Sequence, residues 1–220
     1  MYRKLILLST IIYCSSLNAA KVDYQHEFQN LSAEQYSDRI KFSDNVNEKT
    51  KYNIELKRKL NGKKKINNSI EIGVGYIKPY QLPIELGASA FFDEKVMMKN
   101  VYISFFYQVS NVDFFIRYKY YDANLINLEE IDSLNGRLLS YSVKFNFFQN
   151  FSLGYLINDG RLNFKSAILN GSIKELVNEM KLAYKYNESY TPYLTYSTDD
   201  LFFIENDKSK NLGFGISFNF

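Results

Sequence analysis

The chain of 220 residues contains few of the residues on which most enzyme and metal chemistry depends. It has one histidine, one cysteine and no tryptophan. Cys14 lies in a segment predicted to be cleaved, so the mature chain is expected to lack both disulfides and a thiolate nucleophile. His26 alone cannot form a zinc cluster, and no Ser–His–Asp set accompanies it. The sequence therefore predicts no catalytic residue, no metal site and no cofactor.

Long apolar runs and a strong charge of one sign are also lacking. A helical membrane bundle needs apolar stretches of about 20 residues, and the mean hydropathy of -0.30 argues against one. The chain has 27 basic and 24 acidic residues, and removing Arg3 and Lys4 leaves 25 against 24, a net charge of +1. This balance argues against a nucleic-acid partner.

The N-terminus has the features of an export signal. Arg3 and Lys4 precede an apolar run over residues 5–13, which is too short to span a bilayer. Small residues follow and end at Ala19 and Ala20. We therefore expect residues 1–20 to be a cleaved signal peptide, cut after Ala19 or Ala20, and residues 21–220 to form one outer-membrane domain.

The C-terminus alternates strictly between large apolar and small or polar residues. Leu212, Phe214, Ile216 and Phe218 are separated by glycine, serine and asparagine, and the chain ends on Phe220. Period two is that of a β-strand. An apolar face against lipid, a polar face against a lumen and a terminal aromatic residue are typical of outer-membrane barrels. We expect Phe220 to be the signal read by the barrel-assembly machinery.

The same alternation recurs along the chain and predicts an all-β, antiparallel, up-and-down transmembrane barrel of twelve strands, with ten or fourteen left open. Aromatic residues reach 17%, which suits two interfacial girdles. Short periplasmic turns are predicted near residues 46–47, 79–83, 110–111, 149–150 and 187–191. Longer outer loops are predicted at residues 30–34, 61–65, 93–99, 123–135, 158–171 and 199–210.

The strand parity predicts which charges face the lumen. Two cations at positions i and i+2 stand on the same face about 7 Å apart, so pairs on several strands form positive tracks. The predicted pore-lining basic residues are Arg39, Lys41, Lys57, Lys59, Arg117, Lys119, Lys144, Lys181 and Lys185. The predicted pore-lining acidic residues are Glu27, Glu55, Glu71 and Glu85. Such charges either line an anion-attracting pore or fill a closed, salt-bridged core, and the sequence leaves both possibilities open.

Two further residues are assigned to the outer surface by the same parity. His26 points away from the lumen, and Arg58 is expected near the outer rim, where its charged head can reach water. The glycine pairs at positions 73 and 75 and at 213 and 215 are predicted as lumen-facing strand residues rather than phosphate loops.

Residues 22–28 (VDYQHEF) and 38–41 (DRIK) resemble the start of the oligogalacturonate-specific porin family, which includes the N-acetylneuraminic acid-inducible channel. Residues 54–59, 117–120 and 181–185 are similar to further stretches in the same order. The resemblance implies a twelve-stranded monomeric porin in the bacterial outer membrane, which passes acidic oligosaccharides along the basic residues named above. The family pattern has arginine where this chain has Gln25, Ser104 and Gly213, and several retained sites are lysine, which lacks the bidentate fork.

Overall fold

The computed structural model describes residues 21–31, 35–47, 49–61, 64–78, 84–93, 96–125, 131–166, 170–201 and 208–220. The predicted signal peptide, residues 1–20, lies outside the described residues. Twelve strands follow one another along the chain, with a single 3-10 turn over Gln29–Leu31. No helix among the described residues is long and apolar enough to cross a membrane.

The strands form a closed antiparallel barrel in which each strand pairs with its neighbours in sequence. Closure is made by β1 and β12, whose register runs from Lys21 opposite Asn219 to Phe28 opposite Leu212. The strands are β1 (Lys21–Phe28), β2 (Gln35–Asn47), β3 (Thr50–Asn61), β4 (Lys64–Lys78), β5 (Ile84–Asp93), β6 (Val96–Val109), β7 (Val112–Leu125), β8 (Ile131–Phe147), β9 (Phe151–Ser166), β10 (Asn170–Tyr184), β11 (Tyr190–Leu201) and β12 (Lys208–Asn219). The predicted fold class and strand number are confirmed.

The barrel is apolar on its outer face and polar on its inner face, which is the reverse of a soluble protein. Large apolar side chains are exposed on the outside, including Val74 at 52% and Val101 at 58%. The buried side chains include polar ones that face the lumen, among them Gln25, Glu85 and Ser104. An apolar exterior with a polar interior is the arrangement of a transmembrane barrel, in which lipid replaces water around the outer face.

The strands extend well beyond the membrane at the end away from the chain termini. A strand of about ten residues crosses the apolar band, but β8, β9 and β10 contain 17, 16 and 15 residues. This longer end is extracellular by the outer-membrane rule, and the end with the short turns and both termini is periplasmic.

The predicted outer loops are therefore too long. Most of the loop expected at residues 158–171 is strand, since β9 runs to Ser166 and β10 begins at Asn170. The loop expected at residues 199–210 is shortened in the same way, because β11 continues to Leu201 and β12 begins at Lys208. Polar residues on both faces had indicated loops, but above the membrane both faces of a strand contact water.

Candidate functional site

Glu85 is the centre of the ion-pair network on one wall of the lumen. Its side chain is fully buried, and its Oε1 accepts a 2.7 Å hydrogen bond from the Tyr102 hydroxyl. The Lys51 Nζ lies 2.8 Å from Oε2, at ion-pair distance but without hydrogen-bond alignment, and Arg117 Nη2 lies 3.7 Å from the same oxygen. The Arg117 guanidinium also stacks 4.4 Å from the Tyr102 ring centroid. One carboxylate thus anchors two cations and a phenol.

The other cations of this wall are also paired. Lys119 Nζ lies 3.2 Å from the Glu71 carboxylate, which Ser89 Oγ approaches at 2.6 Å. Lys41 lies 3.8 Å from Glu55. These contacts hold several predicted pore-lining cations and acids together on β2–β7, where each charge is largely compensated by its neighbour.

A second tyrosine-centred group lies where β1 and β11 approach β12. The Tyr193 hydroxyl donates a 2.7 Å hydrogen bond to Asp23, whose carboxylate also lies 3.3 Å from Arg39 Nη2. The Lys181 Nζ stands 3.4 Å from the Tyr193 ring centroid, which is cation–π distance. The arrangement repeats that of Tyr102, with one difference: Lys181 contacts the ring and not the carboxylate.

Four predicted pore-lining lysines have no acidic partner within 4 Å among the described residues. These are Lys57, Lys59, Lys181 and Lys185. Lys144 differs, since its Nζ lies 3.3 Å from Asp113. Lys185 follows the last residue of β10, so it lies exposed in the periplasmic connection and not along the wall.

The largest lumen cavity lies at the periplasmic end against β8–β12 and measures about 530 Å³. Its cationic side chains are Lys21, Lys144 and Lys181, and Glu179 is its acidic one. Hydroxyl, amide and aromatic side chains add to the lining, namely Phe115, Ser142, Ser152, Thr191, Tyr193, Ser217 and Asn219. Gly154, Tyr155, Leu156 and Ala183 complete it. The volume falls in the range of small-molecule sites, roughly 300–1,000 Å³.

A second cavity, of about 400 Å³, lies at the same end against β2–β7. It shares Lys21 with the largest cavity. Basic side chains outnumber acidic ones in both periplasmic cavities. In the second they are Lys21, Lys41, Lys51, Arg117 and Lys119, against Asp44, Glu71 and Glu85.

The third lumen cavity, of about 260 Å³, lies on the extracellular side and has the opposite balance. It shares Glu179 with the largest cavity. Its acidic side chains are Glu27, Glu175, Glu179 and Asp199, and its basic ones are Arg39, Lys57 and Lys59. Charge along the lumen is therefore uneven, with the basic excess confined to the periplasmic half.

Several lumen residues were not predicted as site residues, and five of them show why: Lys51, Glu175, Asp199, Tyr102 and Tyr193. Lys51 immediately precedes the first outward residue recognised on β3, while Glu175 and Asp199 fall in segments that had been assigned outside the strands. Tyr102 and Tyr193 were overlooked because aromatic residues were assigned to the lipid face. Extending the parity of β3, β6, β10 and β11 by a few residues would have placed all five in the lumen.

Lumen glycines make room for these tyrosines. A Cβ at Gly87 would collide with the Tyr102 ring, and one at Gly215 would collide with the Tyr193 ring. A Cβ at Gly75 would come within 2.5 Å of Glu85 Oε1. The glycines therefore allow aromatic rings to lie flat against the wall, which keeps the centre of the lumen clear.

His26 and the terminal residue Phe220 both lie away from the lumen. His26 is on the outer face, where its Nδ1 lies 2.8 Å from Asp38 Oδ1 and its ring contacts Phe28 at 4.8 Å. No group of three His, Cys, Asp or Glu residues in the described part of the chain is arranged to hold a metal ion. Phe220 follows β12, is 40% exposed and stacks on Phe218 with the ring centroids 6.3 Å apart.

A closed twelve-stranded barrel with an apolar exterior and a charged, cavity-containing lumen is typical of outer-membrane porins. The family model of the oligogalacturonate-specific porin protein (KdgM) matches residues 13–199, and the chain belongs to that family. Family and fold place the protein in the bacterial outer membrane, and the family points to a channel.

Solved structures of similar barrels agree with this fold. A KdgM porin in complex with disordered oligogalacturonate is 18% identical, with a TM-score of 0.66 over 91% of this chain and 99% of that one. A NanC porin is 17% identical, with a TM-score of 0.70 over 90% and 100% of the two chains. Omp33 of Acinetobacter baumannii is 11% identical, with a TM-score of 0.53 over 92% and 98%. The chain matches none of the curated protein sequences compared with it.

Proposed function

We propose that the protein is a passive channel through which acidic oligosaccharides or sugar acids cross the outer membrane. The observation that carries the proposal is the ammonium group of Lys181 beside the 530 Å³ periplasmic cavity, with no acidic partner within 4 Å among the described residues. A cation that is not neutralised by the protein can pair with a carboxylate of a passing solute.

The rest of the cavity lining suits a sugar. Serine, threonine and asparagine side chains offer donors and acceptors to sugar hydroxyls, and Phe115 offers aromatic surface. A carboxylate-bearing saccharide uses all three kinds of group, whereas an inorganic anion uses only the cations and the hydrogen-bond donors. Membership of the oligogalacturonate-specific porin family supports the same class of solute.

The predicted pore-lining residues take different parts in this proposal. Lys57, Lys59 and Lys181 would contact the solute, because no protein carboxylate holds them among the described residues. Arg39, Lys41, Arg117, Lys119 and Lys144 would contribute to the field but are held by their ion pairs. Lys185 would act at the periplasmic mouth. Glu27, Glu55, Glu71 and Glu85 would hold or balance the cations.

The second candidate function is a closed structural or surface-interaction barrel whose charges fill its interior. The ion pairs around Glu85 and Glu71 favour it, because they fill part of the lumen with side chains that hold one another. The two functions differ in one property that can be measured directly, which is the permeability of the lumen to small solutes.

Flux from proteoliposomes tests the proposal. We expect purified barrel to release trigalacturonate faster than maltotriose, since both are trisaccharides and only the first carries carboxylates. Vesicles without protein serve as the control for leakage. Release of neither sugar would support the closed barrel, and equal release of both would leave a channel without preference for acidic solutes.

Two partner assignments belong to the same proposal. We expect the barrel to act as a monomer surrounded by outer-membrane lipid, and we expect the assembly machinery to read Phe220. Phe220→Ser should then lower the amount of folded barrel in the membrane, measured by heat-modifiable gel migration. Unchanged folded levels would show that the terminal aromatic residue is not needed.

A further inference from the structure

Three cations stand side by side on the outer surface of the barrel. In the strand register Arg137 of β8 is directly opposite Arg161 of β9, and Arg161 is directly opposite Lys174 of β10. All three side chains are exposed. They face outward, because their neighbours Gly136, Gly160 and Glu175 have the parity of the lumen face. We call these three residues the cation row.

The cation row lies at the upper edge of the membrane. Each of its residues is ten positions from the periplasmic end of its strand, which is Phe147, Phe151 or Tyr184. Ten residues of a tilted strand cover about 25 Å, which is the height of the apolar band of an outer-membrane barrel. The cations therefore stand at the level of the lipid headgroups in the outer leaflet.

Within the described part of the protein the cation row is not neutralised. No carboxylate there lies within 4 Å of its nitrogens, and the one hydrogen bond made by the row runs from Arg161 Nη2 to Ser172 Oγ at 3.3 Å. Asp159 lies one row nearer the membrane centre, and Asp122 of β7 lies diagonal to Arg137. Like charges directly opposite on a sheet destabilise it, so three adjacent cations favour binding of a further anion from outside the protein.

A tyrosine borders the cation row. Tyr120 of β7 is directly opposite Arg137 in the register, and its side chain is 45% exposed. Tyr141 of β8 is 41% exposed four positions nearer the periplasmic end than Arg137. Tyrosines at the height of Tyr120 form the girdle between acyl chains and headgroups. The surface thus offers apolar and aromatic contacts below and positive charge above.

We propose that the cation row is a binding site for the phosphate groups of a phosphorylated glycolipid of the outer leaflet, of the lipid A type. Two phosphates on one sugar headgroup can be shared among three neighbouring cations, and arginine binds phosphate through two parallel hydrogen bonds. The acyl chains of the same lipid would lie on the apolar surface below the tyrosines. This site is separate from the lumen and does not depend on what the lumen conducts.

Binding of diphosphoryl lipid A to the purified barrel in detergent micelles tests the proposal by native mass spectrometry. The triple variant Arg137→Ser, Arg161→Ser, Lys174→Ser should bind roughly tenfold or more weakly, because charge-assisted contacts are lost. The matched control, Arg58→Ser, Lys99→Ser, Lys210→Ser, removes the same charge from outward positions on other strands. This control variant should lose much less of its affinity for diphosphoryl lipid A. Dephosphorylated lipid A should bind the wild-type barrel as weakly as diphosphoryl lipid A binds the row variant.

A second measurement covers the case in which the triple variant folds poorly. Without lipid, Arg161→Ser alone should leave the midpoint of heat-induced unfolding unchanged or raise it, since the substitution removes like-charge repulsion. With diphosphoryl lipid A present, the midpoint of this variant should be lower than that of the wild type. A purely structural role for Arg161 would lower both midpoints. Equal loss of binding in the two triple variants, or binding that is indifferent to the lipid phosphates, would overturn the proposal.

Discussion

The two walls of the lumen differ in how they use charge. On the wall formed by β2–β7, most lumen cations are matched to carboxylates, and the Glu85 group is the densest example. Lys57 and Lys59 are the exceptions on β3 among the described residues. On the wall formed by β8–β12, small side chains predominate, and Lys181 rests on an aromatic ring without an acidic partner among the described residues. The largest cavity lies against the second wall. The largest cavity and the lysine without an acidic partner therefore both lie on the wall that has fewer charged residues.

This difference shows why a count of basic residues cannot locate a solute path. A lysine that is paired to a neighbouring carboxylate adds little net field at short range, and a solute must compete with that carboxylate to reach it. Lys181 has no carboxylate within 4 Å among the described residues, so Asp23 and Glu179 compete for it only at longer range. We therefore assign structural support to the paired cations of the β2–β7 wall. Solute contact is assigned to Lys181 on the β8–β12 wall, and to Lys57 and Lys59 beside the extracellular cavity.

The largest effect is expected from breaking the centre of the paired wall. Glu85→Ala removes the shared partner of Lys51 and Arg117, whose side chains are 30% and 29% exposed, and the acceptor of the Tyr102 hydroxyl. The barrel should therefore lose about 1–3 kcal/mol of stability. The half-life of the heat-resistant folded band on gels measures the loss. The Glu85→Gln variant retains an acceptor for the Tyr102 hydroxyl, so it should lose less stability than Glu85→Ala. An alanine variant as long-lived as the wild type would show that the paired wall does not support the fold.

Filling the open side should reduce conduction without a large loss of stability. Gly154 lines the largest cavity, and a Cβ there would meet no atom closer than 3.8 Å, so Gly154→Phe can be accommodated. We expect the single-channel conductance in planar bilayers to fall by roughly half, because pore diameter governs permeation. Ser43→Phe on the β2–β7 wall is the matched control and should change the single-channel conductance less. The reverse order would place the solute path along β2–β7.

The smallest effect is expected when a pair is removed as a unit. The double variant Lys119→Met, Glu71→Gln deletes one positive and one negative charge that lie 3.2 Å apart. Net lumen charge is kept, so the reversal potential in a KCl gradient should stay close to the wild-type value. Lys119→Met alone leaves Glu71 uncompensated and should lower the preference for anions. A large shift in the double variant would mean that Lys119 contacts the permeating ions despite its pair.

Much of this architecture could be predicted from the sequence, because strand parity is repeated at every step. Alternation over residues 212–220 and its recurrence along the chain predicted twelve strands, and the structure has twelve. The lumen orientation of Arg39, Arg117 and Lys181 follows from the same period of two. Parity needs only local information, which is why it could be used without knowledge of neighbouring strands.

The pairing of charges could not be predicted, because it depends on register between strands distant in sequence. Lys119 and Glu71 are 48 positions apart, and nothing local indicates that they meet. Strand ends were also missed, since parity fades where both faces of a strand contact water. Because the strand ends were missed, Glu175 and Asp199 were not predicted to face the lumen. The excess of acidic over basic side chains in the extracellular cavity was therefore not predicted either.

The central claim is that Lys181 on the open wall receives the carboxylate of an acidic sugar, and current blockade by trigalacturonate tests it most directly. At about 0.1 M salt, where the screening length is near 10 Å, Lys181→Met should shorten the blockade by about tenfold or more, because one charge-assisted contact is lost. The double variant Lys119→Met, Glu71→Gln should retain the wild-type blockade time. The assignment of solute contact to this wall is wrong if trigalacturonate blocks the Lys181→Met channel for as long as it blocks the wild type. It is also wrong if the double variant shortens the blockade and Lys181→Met does not.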